Sequence, residues 1–297
     1  MSEASTSLSR MYEMQSGSAM TVKQIGRVCR QRFTPIIFMA GEISSGKTTL
    51  ISSLHDAFLF GTVAGFRFAG SQTLLAFEER SFESRAKSEG LVPQTPRTRY
   101  ENGQEYFHIR VQEERDPSRK NYDILFADMS GEFYERSIQR SAEAQQLRDL
   151  TRAQCLLVLL DGEKLADIKQ RQKVRSDALS FLRRCIEEKV LTDDTEVQVL
   201  ISKWDSVSKL PEEAQKGILQ FIDGRINAKT LGRQVIVKPI ASRPGLGTSD
   251  PKLFGVRELL PGWIHSRPEP LKPRAEVLAT LQARTAYSRF PGIGGSR

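Results

Sequence analysis

A glycine-rich octapeptide directly after a short apolar run constrains this chain more than any other feature. The apolar run covers residues 36–40, and the octapeptide, residues 41–48, reads G-x-x-x-x-G-K-T. Residues 49–58 then place apolar side chains such as Leu50 and Phe58 at helical spacing. A strand, a glycine-rich turn and a helix in this order form a loop whose backbone N–H groups point at a phosphate. The sequence therefore predicts a nucleotide-binding loop.

The residues of the predicted loop divide between phosphate and metal binding. We expect the ammonium group of Lys47 to reach the β- and γ-phosphates, which makes Lys47 a candidate for binding and for catalysis. We expect the hydroxyl of Thr48 to bind Mg²⁺. The residues expected to contact the nucleotide here are Gly41, Glu42, Ile43, Ser44, Ser45, Gly46, Lys47, Thr48 and Thr49.

A second apolar run, residues 122–127, leads directly into Asp128, and residues 128–131 read D-x-x-G. An aspartate at the carboxyl end of a strand beside the phosphate loop can hold a Mg²⁺-bound water. The glycine after it, Gly131, can turn its N–H toward the γ-phosphate. The tetrapeptide is common by itself, so its weight comes from its position after a strand.

A third motif indicates which base is bound. Residues 197–201 form another apolar run, and residues 202–205 read S-K-W-D. The carboxylate of Asp205 can accept both N1–H and N2–H of guanine, a pair of donors that adenine lacks, while the stem of Lys203 packs along the base. Residues 235–240 lead to Ala241-Ser242-Arg243, where a backbone N–H can meet the guanine O6. The predicted base-binding residues are Ser202, Lys203, Asp205, Ala241, Ser242 and Arg243.

These motifs, in this order, resemble those of the Ras-like GTPases of the TRAFAC class, which carry G-x-x-x-x-G-K-[ST], a switch threonine, D-x-x-G, [NT]-K-x-D and S-A-[KL]. The resemblance covers roughly residues 34 to 262. The S-K-W-D box, the glutamate after D-x-x-G and the long segment before the switch resemble the bacterial double-GTPase group of conflict systems. The resemblance implies GTP or GDP with Mg²⁺, a molecular switch driven by GTP hydrolysis, and a protein effector or second GTPase as partner.

Two positions depart from the family pattern. Ser202 stands where the family has Asn or Thr, and its hydroxyl reaches less far toward the phosphate loop. Glu132 stands where Ras-like enzymes carry a glutamine that orients the attacking water. The γ-phosphate would repel a carboxylate at this place. Because it takes the place of that glutamine, Glu132 is a candidate catalytic residue. Because of the repulsion, the alternative function is a GTP-sensing interaction module with little or no hydrolysis.

The switch threonine has two candidates, Thr95 and Thr98. Either hydroxyl can bind Mg²⁺. We favour Thr95, as metal ligand and catalytic residue, because a hairpin around Asn102-Gly103 would pair residues 97–101 with residues 105–111 and place Thr98 inside a strand. The predicted metal ligands are then Thr48, Thr95 and Asp128.

Composition indicates the size of the core, the cellular compartment and the kinds of partner to expect. The 297 residues, of which 39% are hydrophobic, are enough for one large core. No apolar run approaches the length of a membrane span, the chain start lacks a secretory signal, and three widely spaced cysteines predict neither disulfides nor a metal site. We therefore expect a cytoplasmic protein. The net charge of +8 is dispersed among acidic residues, so no specific nucleic-acid partner is expected.

Alternating apolar strands and amphipathic helices predict an α/β fold. We expect a three-layer, mostly parallel sheet with helices on both faces and one antiparallel edge pairing. Residues 62–88 predict a turn and a helix at the sheet edge, and residues 164–189 predict one long helix. The expected domains are a mobile tail (residues 1–20), a GTPase-like P-loop domain (21–267), and a linker with a short C-terminal helix (268–297).

Overall fold

The computed structural model describes residues 17–88, 104–116, 118, 120–229, 235–245 and 251–266. Several sequence predictions fall outside these ranges: Thr95 and Thr98, the Asn102-Gly103 turn, and the terminal segments over residues 1–16 and 267–297. The predicted domain boundaries and the choice of switch threonine therefore stay predictions.

A seven-stranded sheet organises the described part of the chain. Its strands are β1 (Ile36–Gly41), β2 (Phe66–Gly70), β3 (Glu105–Glu113), β4 (Asn121–Asp128), β5 (Cys155–Asp161), β6 (Glu196–Ser202) and β7 (Val235–Pro239). The order across the sheet is β2-β3-β4-β1-β5-β6-β7. The pairings from β4 to β7 are parallel, whereas β3 runs antiparallel to both β2 and β4. The central strands are buried along their length, as continuous apolar runs predict.

Helices cover both faces of this sheet. They are α1 (Val22–Gln31), α2 (Lys47–Phe60), α3 (Leu74–Ser88), α4 (Gly131–Gln139), α5 (Ser141–Ala144), α6 (Gly162–Ala166), α7 (Ile168–Glu187), α8 (Trp204–Val207), α9 (Glu212–Lys229) and α10 (Val256–His265). Along β1, Ile36 and Phe38 join a core with α1, α4, α7 and α9, while Ile37 and Met39 join a core with α2, α3 and α10. The predicted three-layer, mostly parallel fold is confirmed. Within the described ranges, no helix is long and apolar enough to cross a bilayer.

The structure differs from two local predictions, those for residues 62–88 and for residues 164–189. At the antiparallel edge of the sheet, β2 pairs with β3 and β3 pairs with β4, and Met20 adds a bridge to Tyr106 of β3. The segment predicted as a turn and a helix over residues 62–88 thus contributes a strand as well. The single helix predicted over residues 164–189 is two, α6 and α7, because Asp167 takes ψ 117° and caps α7 through the N–H of Lys169.

His108 lies in a buried polar network at the sheet edge. Its Nδ1 accepts the backbone N–H of Gln72 at 3.0 Å, so Nε2 carries the proton and donates to Asp123 at 2.9 Å. Arg110 donates to the same carboxylate at 2.6 Å. Burial raises the pKa of Asp123, but the hydrogen bonds from His108 and Arg110 outweigh it and hold the pKa at about 2. Both ring nitrogens therefore serve to join β3 to β4 and to the turn before α3.

His55 of α2 is a buried imidazole in an apolar setting. Its ring stacks on Phe77 with 4.3 Å between centroids and meets Phe68 edge-on at 5.6 Å. Neither ring nitrogen has a hydrogen-bond partner among the described residues. Burial lowers the pKa of His55, and the carboxylates of Asp56 and Glu78 offset part of this effect.

We expect acid to destabilise the fold through His55. Below about pH 6.5 the unfolded chain binds a proton that the folded protein takes up poorly, so the free energy of unfolding falls as the pH falls. The loss is at most about 1.4 kcal/mol per pH unit. Urea denaturation from about pH 7 to pH 5 should show the stability of the wild type falling relative to His55→Leu. A stability difference that does not change with pH would contradict this expectation.

Candidate functional site

The glycine-rich loop curls between β1 and α2 at the carboxyl edge of the sheet. Gly41 ends β1 with φ +154°, and a Cβ there would lie 2.6 Å from both the Leu159 carbonyl oxygen and the Ser45 hydroxyl. Lys47 begins α2, so the N-terminus of that helix opens onto the loop. Backbone N–H groups at a helix N-terminus attract anions. The loop therefore has the shape and the field to receive a phosphate.

The ammonium group of Lys47 folds back over this loop. Its Nζ donates to the carbonyl oxygens of Gly41 at 2.8 Å and Glu42 at 2.9 Å, and to the Ser45 hydroxyl at 3.3 Å. Lys47 is only 6% exposed. Burial lowers the pKa of Lys47, and nearby carboxylates, Asp128 foremost, offset part of that shift. A cation is thus held inside the curl of the loop.

The two predicted metal ligands in the described residues lie side by side. The Thr48 hydroxyl donates to Oδ2 of Asp128 at 2.7 Å. Asp128 ends β4 and is fully buried. Burial raises the pKa of Asp128, and the charge of Lys47 with the Thr48 hydrogen bond offsets part of the rise. A hydroxyl beside a carboxylate is an oxygen donor set of the kind that Mg²⁺ takes.

The D-x-x-G turn packs directly against the phosphate loop. A Cβ at Gly131 would overlap the backbone nitrogen and side chain of Ile43, so only glycine fits there. The Ser130 hydroxyl caps α4 by accepting the N–H three residues further on at 3.2 Å. Glu132 lies in the first turn of α4, and its charge counteracts part of the effect of burial on the pKa of Lys47.

Ser202, at the end of β6, connects the predicted base-binding segment with the phosphate loop. Its hydroxyl donates to the carbonyl oxygen of Ser45 at 2.6 Å and lies 3.0 Å from that of Leu160. Ser202 is buried. The short serine side chain therefore spans the gap between the two segments.

Lys203 is held beside the site by two carboxylates. Its Nζ donates to Asp161 at 2.8 Å and to Glu163 at 3.2 Å. Burial lowers the pKa of Lys203, but Asp161 and Glu163 outweigh it and raise the pKa. Asp161 is 1% exposed and also caps α6 by accepting the N–H of Glu163 at 3.0 Å. These contacts hold the ammonium group of Lys203 at the start of α6.

Asp205, the predicted acceptor of the guanine N–H groups, lies in the first turn of α8. One of its carboxylate oxygens accepts the backbone N–H of Gly245 at 3.1 Å. The N–H of Ala241 donates to the carbonyl oxygen of Phe254 at 3.0 Å. Ser242, the next residue, is therefore the better candidate for a backbone contact with the guanine O6.

Three side chains near the site were not assigned to it from the sequence: Asp161, Glu163 and Lys164. The ammonium group of Lys164 lies 2.8 Å from a carboxylate oxygen of Glu42 in the phosphate loop. Asp161 ends β5, and Glu163 and Lys164 follow it in α6. Polar residues that come straight after a buried parallel strand lie at the edge where such sheets bind ligands, and this signal could have identified them.

The sequence matches one protein-family model, Double-GTPase 2, over residues 36–264. The matched range includes every strand of the described residues, from β1 through β7. No curated protein matches the sequence.

Solved structures that resemble this chain do so at low similarity. The signal recognition particle receptor SRb-GTP/SRX complex from Chaetomium thermophilum is 16% identical, with 71% of this chain and 90% of that chain covered and a TM-score of 0.41. The GTP-bound Ski7 GTPase-like domain from S. cerevisiae is 12% identical over 84% of this chain, with a TM-score of 0.41. The match spans 54% of the Ski7 chain, about half its length.

Proposed function

The chain belongs to the Double-GTPase 2 family, and we propose that it binds GTP with Mg²⁺ and hydrolyses it as a molecular switch. One observation carries this proposal: the phosphate loop, Asp128 and residues 202–205 all follow or end strands at the same edge of the sheet. Open α/β sheets bind their ligands at this edge. The hydrogen bonds from Thr48 to Asp128 and from Ser202 to Ser45 join the three segments into one site.

Mg²⁺ fits the side chains beside the phosphate loop. The Thr48 hydroxyl and the Asp128 carboxylate, 2.7 Å apart, are both oxygen donors that Mg²⁺ accepts. We assign these residues as its ligands, with Thr95 as the switch threonine. The bound ion would neutralise charge on the phosphates. Inside the loop, Lys47 adds a second positive charge, which the protein itself supplies.

Guanine recognition is assigned to the ends of β6 and β7. The Asp205 carboxylate would accept two guanine N–H groups, and the stem of Lys203 would lie along the base, held there by Asp161. The backbone at Ser242 would meet O6. Adenine offers no such pair of donors, so GTP and GDP are the expected ligands. Competition of GTP and ATP against a fluorescent GTP analogue, with phosphate release from GTP by the purified protein, tests this assignment.

A second function differs only in the role of Glu132. In a GTPase it orients the attacking water. In a GTP-sensing interaction module its charge would oppose the γ-phosphate and leave hydrolysis slow or absent. The second function is favoured by one observation: burial lowers the pKa of Lys47, and the negative charge of Glu132, in the first turn of α4, offsets part of that shift and so acts on the phosphate loop. We place hydrolysis first because Glu132 directly follows Gly131, which packs on the loop.

Replacement of Glu132 separates these two functions. If it orients water, we expect Glu132→Ala to lower the single-turnover rate of GTP hydrolysis by about 100-fold with little change in GTP affinity. If it opposes the γ-phosphate, Glu132→Gln should instead tighten GTP relative to GDP. Rapid-quench kinetics and nucleotide titrations measure both quantities. Equal rates and equal GTP-to-GDP affinity ratios in wild type and both variants would exclude Glu132 from the chemistry.

The switch would act through a protein partner in the cytoplasm. Contacts of the γ-phosphate with Thr95 and Gly131 would order both segments, and hydrolysis would release them. Because Gly131 packs against Ile43, a movement of the phosphate loop would pass directly to α4. We propose an effector protein or a second GTPase as the partner, in a bacterial conflict system. Affinity capture with protein loaded with a GTP analogue or with GDP tests it, since a partner should be retained only with the former.

A further inference from the structure

A buried carboxylate belongs to the phosphate loop itself. Glu42 is 7% exposed, and its Oε2 accepts a hydrogen bond from Lys164 at 2.8 Å. Its other oxygen, Oε1, is buried without a hydrogen-bond partner among the described residues. The backbone carbonyl of Glu42 accepts from Lys47 at 2.9 Å. Glu42 therefore touches two lysines, one inside the loop and one on α6.

The charge of Glu42 would oppose a nucleotide bound in this loop. A carboxylate beside the phosphates repels them, and its buried position limits the screening by water and salt. Three lysines exert their charge on it: Lys47 of the loop, Lys164 of α6 and Lys173 of α7. Lys47 is bonded to the loop carbonyls, and Lys173 pairs with Asp177 at 3.0 Å. Of these three lysines, it is Lys164 that forms a direct ion pair with the Glu42 carboxylate, at 2.8 Å.

The helix α6 connects this pair with the base-binding side of the site. Asp161 and Glu163, at its start, hold Lys203, while Lys164 one residue later holds Glu42. The four residues 161–164 therefore contact both the segment that would recognise guanine and the loop that would bind phosphate. A change in the Glu42–Lys164 pair is expected to act on both.

We propose that Lys164 is a positioning residue that neutralises Glu42 and so allows the phosphate loop to accept GTP. The inference rests on the proposed function, since it requires that the loop binds nucleotide. Removal of Lys164 would leave the buried Glu42 carboxylate without its ion-pair partner, which is costly by itself and more costly beside phosphates. This cost disappears if the Glu42 carboxylate is removed as well.

A charge cycle tests this role. We expect Lys164→Met, which keeps an unbranched apolar side chain, to weaken binding of a fluorescent GTP analogue by at least about tenfold and GDP by less, because GTP carries more charge. Adding Glu42→Gln should restore GTP affinity to within about threefold of wild type. A matched control is Lys216→Met, which breaks an exposed pair with Glu212 and should leave affinity unchanged.

The outcomes distinguish this inference from its premise. A wild type that binds no GTP overturns the proposed function itself. A wild type that binds GTP with Lys164→Met unaffected, or without rescue by Glu42→Gln, overturns the role of Lys164 alone, because direct phosphate contact or simple packing would not be rescued. If Lys164→Met does not fold, Lys164→Arg and the double variant carry the test, and loss of GTP affinity in either overturns the proposal.

Discussion

Replacing Lys47 with alanine is expected to abolish nucleotide binding, and with it any hydrolysis. The ammonium group already lies inside the curl of the loop, bonded to the carbonyl oxygens of Gly41 and Glu42. Charge-assisted hydrogen bonds to phosphate contribute about 1.5–3 kcal/mol each. Loss of two such bonds corresponds to at least about a 100-fold weaker affinity. Titration with a fluorescent GTP analogue measures it.

The same substitution also removes bonds that the loop makes to itself. Without Lys47 the two loop carbonyls lose their donor, so the melting temperature of the variant must be measured beside its affinity. The exposed Lys216 provides a control, since Lys216→Ala should leave affinity unchanged. If a folded Lys47→Ala protein has the nucleotide affinity and turnover of the wild type, then the loop does not bind the nucleotide.

Asp205→Asn is expected to collapse the preference for guanine over adenine by at least about 100-fold and to favour xanthine. The amide keeps one acceptor oxygen but turns an NH₂ toward a guanine donor, so one hydrogen bond becomes a repulsion. Sites that rely on such bonds discriminate strongly when a partner is left unpaired. The oxygen that remains can still accept the N–H of Gly245, so the effect belongs to base recognition and not to the local fold.

Competition of GTP, XTP and ATP against one fluorescent nucleotide measures this change. Asp177→Asn, on α7 where the carboxylate pairs with Lys173, is a matched control and should preserve the wild-type order of affinities. If Asp205→Asn gives the same GTP-to-ATP ratio as the wild type, then the base is recognised elsewhere.

Most of the architecture could be predicted because its signals are local in the chain. Each central strand is a continuous apolar run, and the phosphate loop is a fixed spacing of glycines and a lysine, so neither depends on distant residues. The helix break at Asp167 was not predicted, because the apolar stripe of α7 continues the helical spacing of the residues before Asp167. The break comes from the extended backbone of Asp167, whose side chain caps α7. The strand β2 was missed because its burial depends on β3 as a partner.

The candidate site was predicted where a motif names the residue and missed where a contact joins distant segments. Lys47, Thr48 and Asp128 lie in motifs, and the structure brings them together. The Glu42–Lys164 pair joins residues 122 positions apart, and no spacing rule links them. Such pairs depend on which strands are neighbours in the sheet, and β1 and β5 become neighbours only after the fold has formed.

Both outer strands of the sheet are poor templates for another chain. The strand β2 has five residues, and its pairing with β3 shifts register between Phe68 and Gly70. At the opposite edge, β7 carries an exposed Lys238 and then Pro239, which has no N–H to donate. Short, irregular, charged or proline-ended edges resist the strand-to-strand growth that leads to aggregation. The same layout that gathers the site residues at one end of the sheet thus also limits uncontrolled polymerisation along its sides.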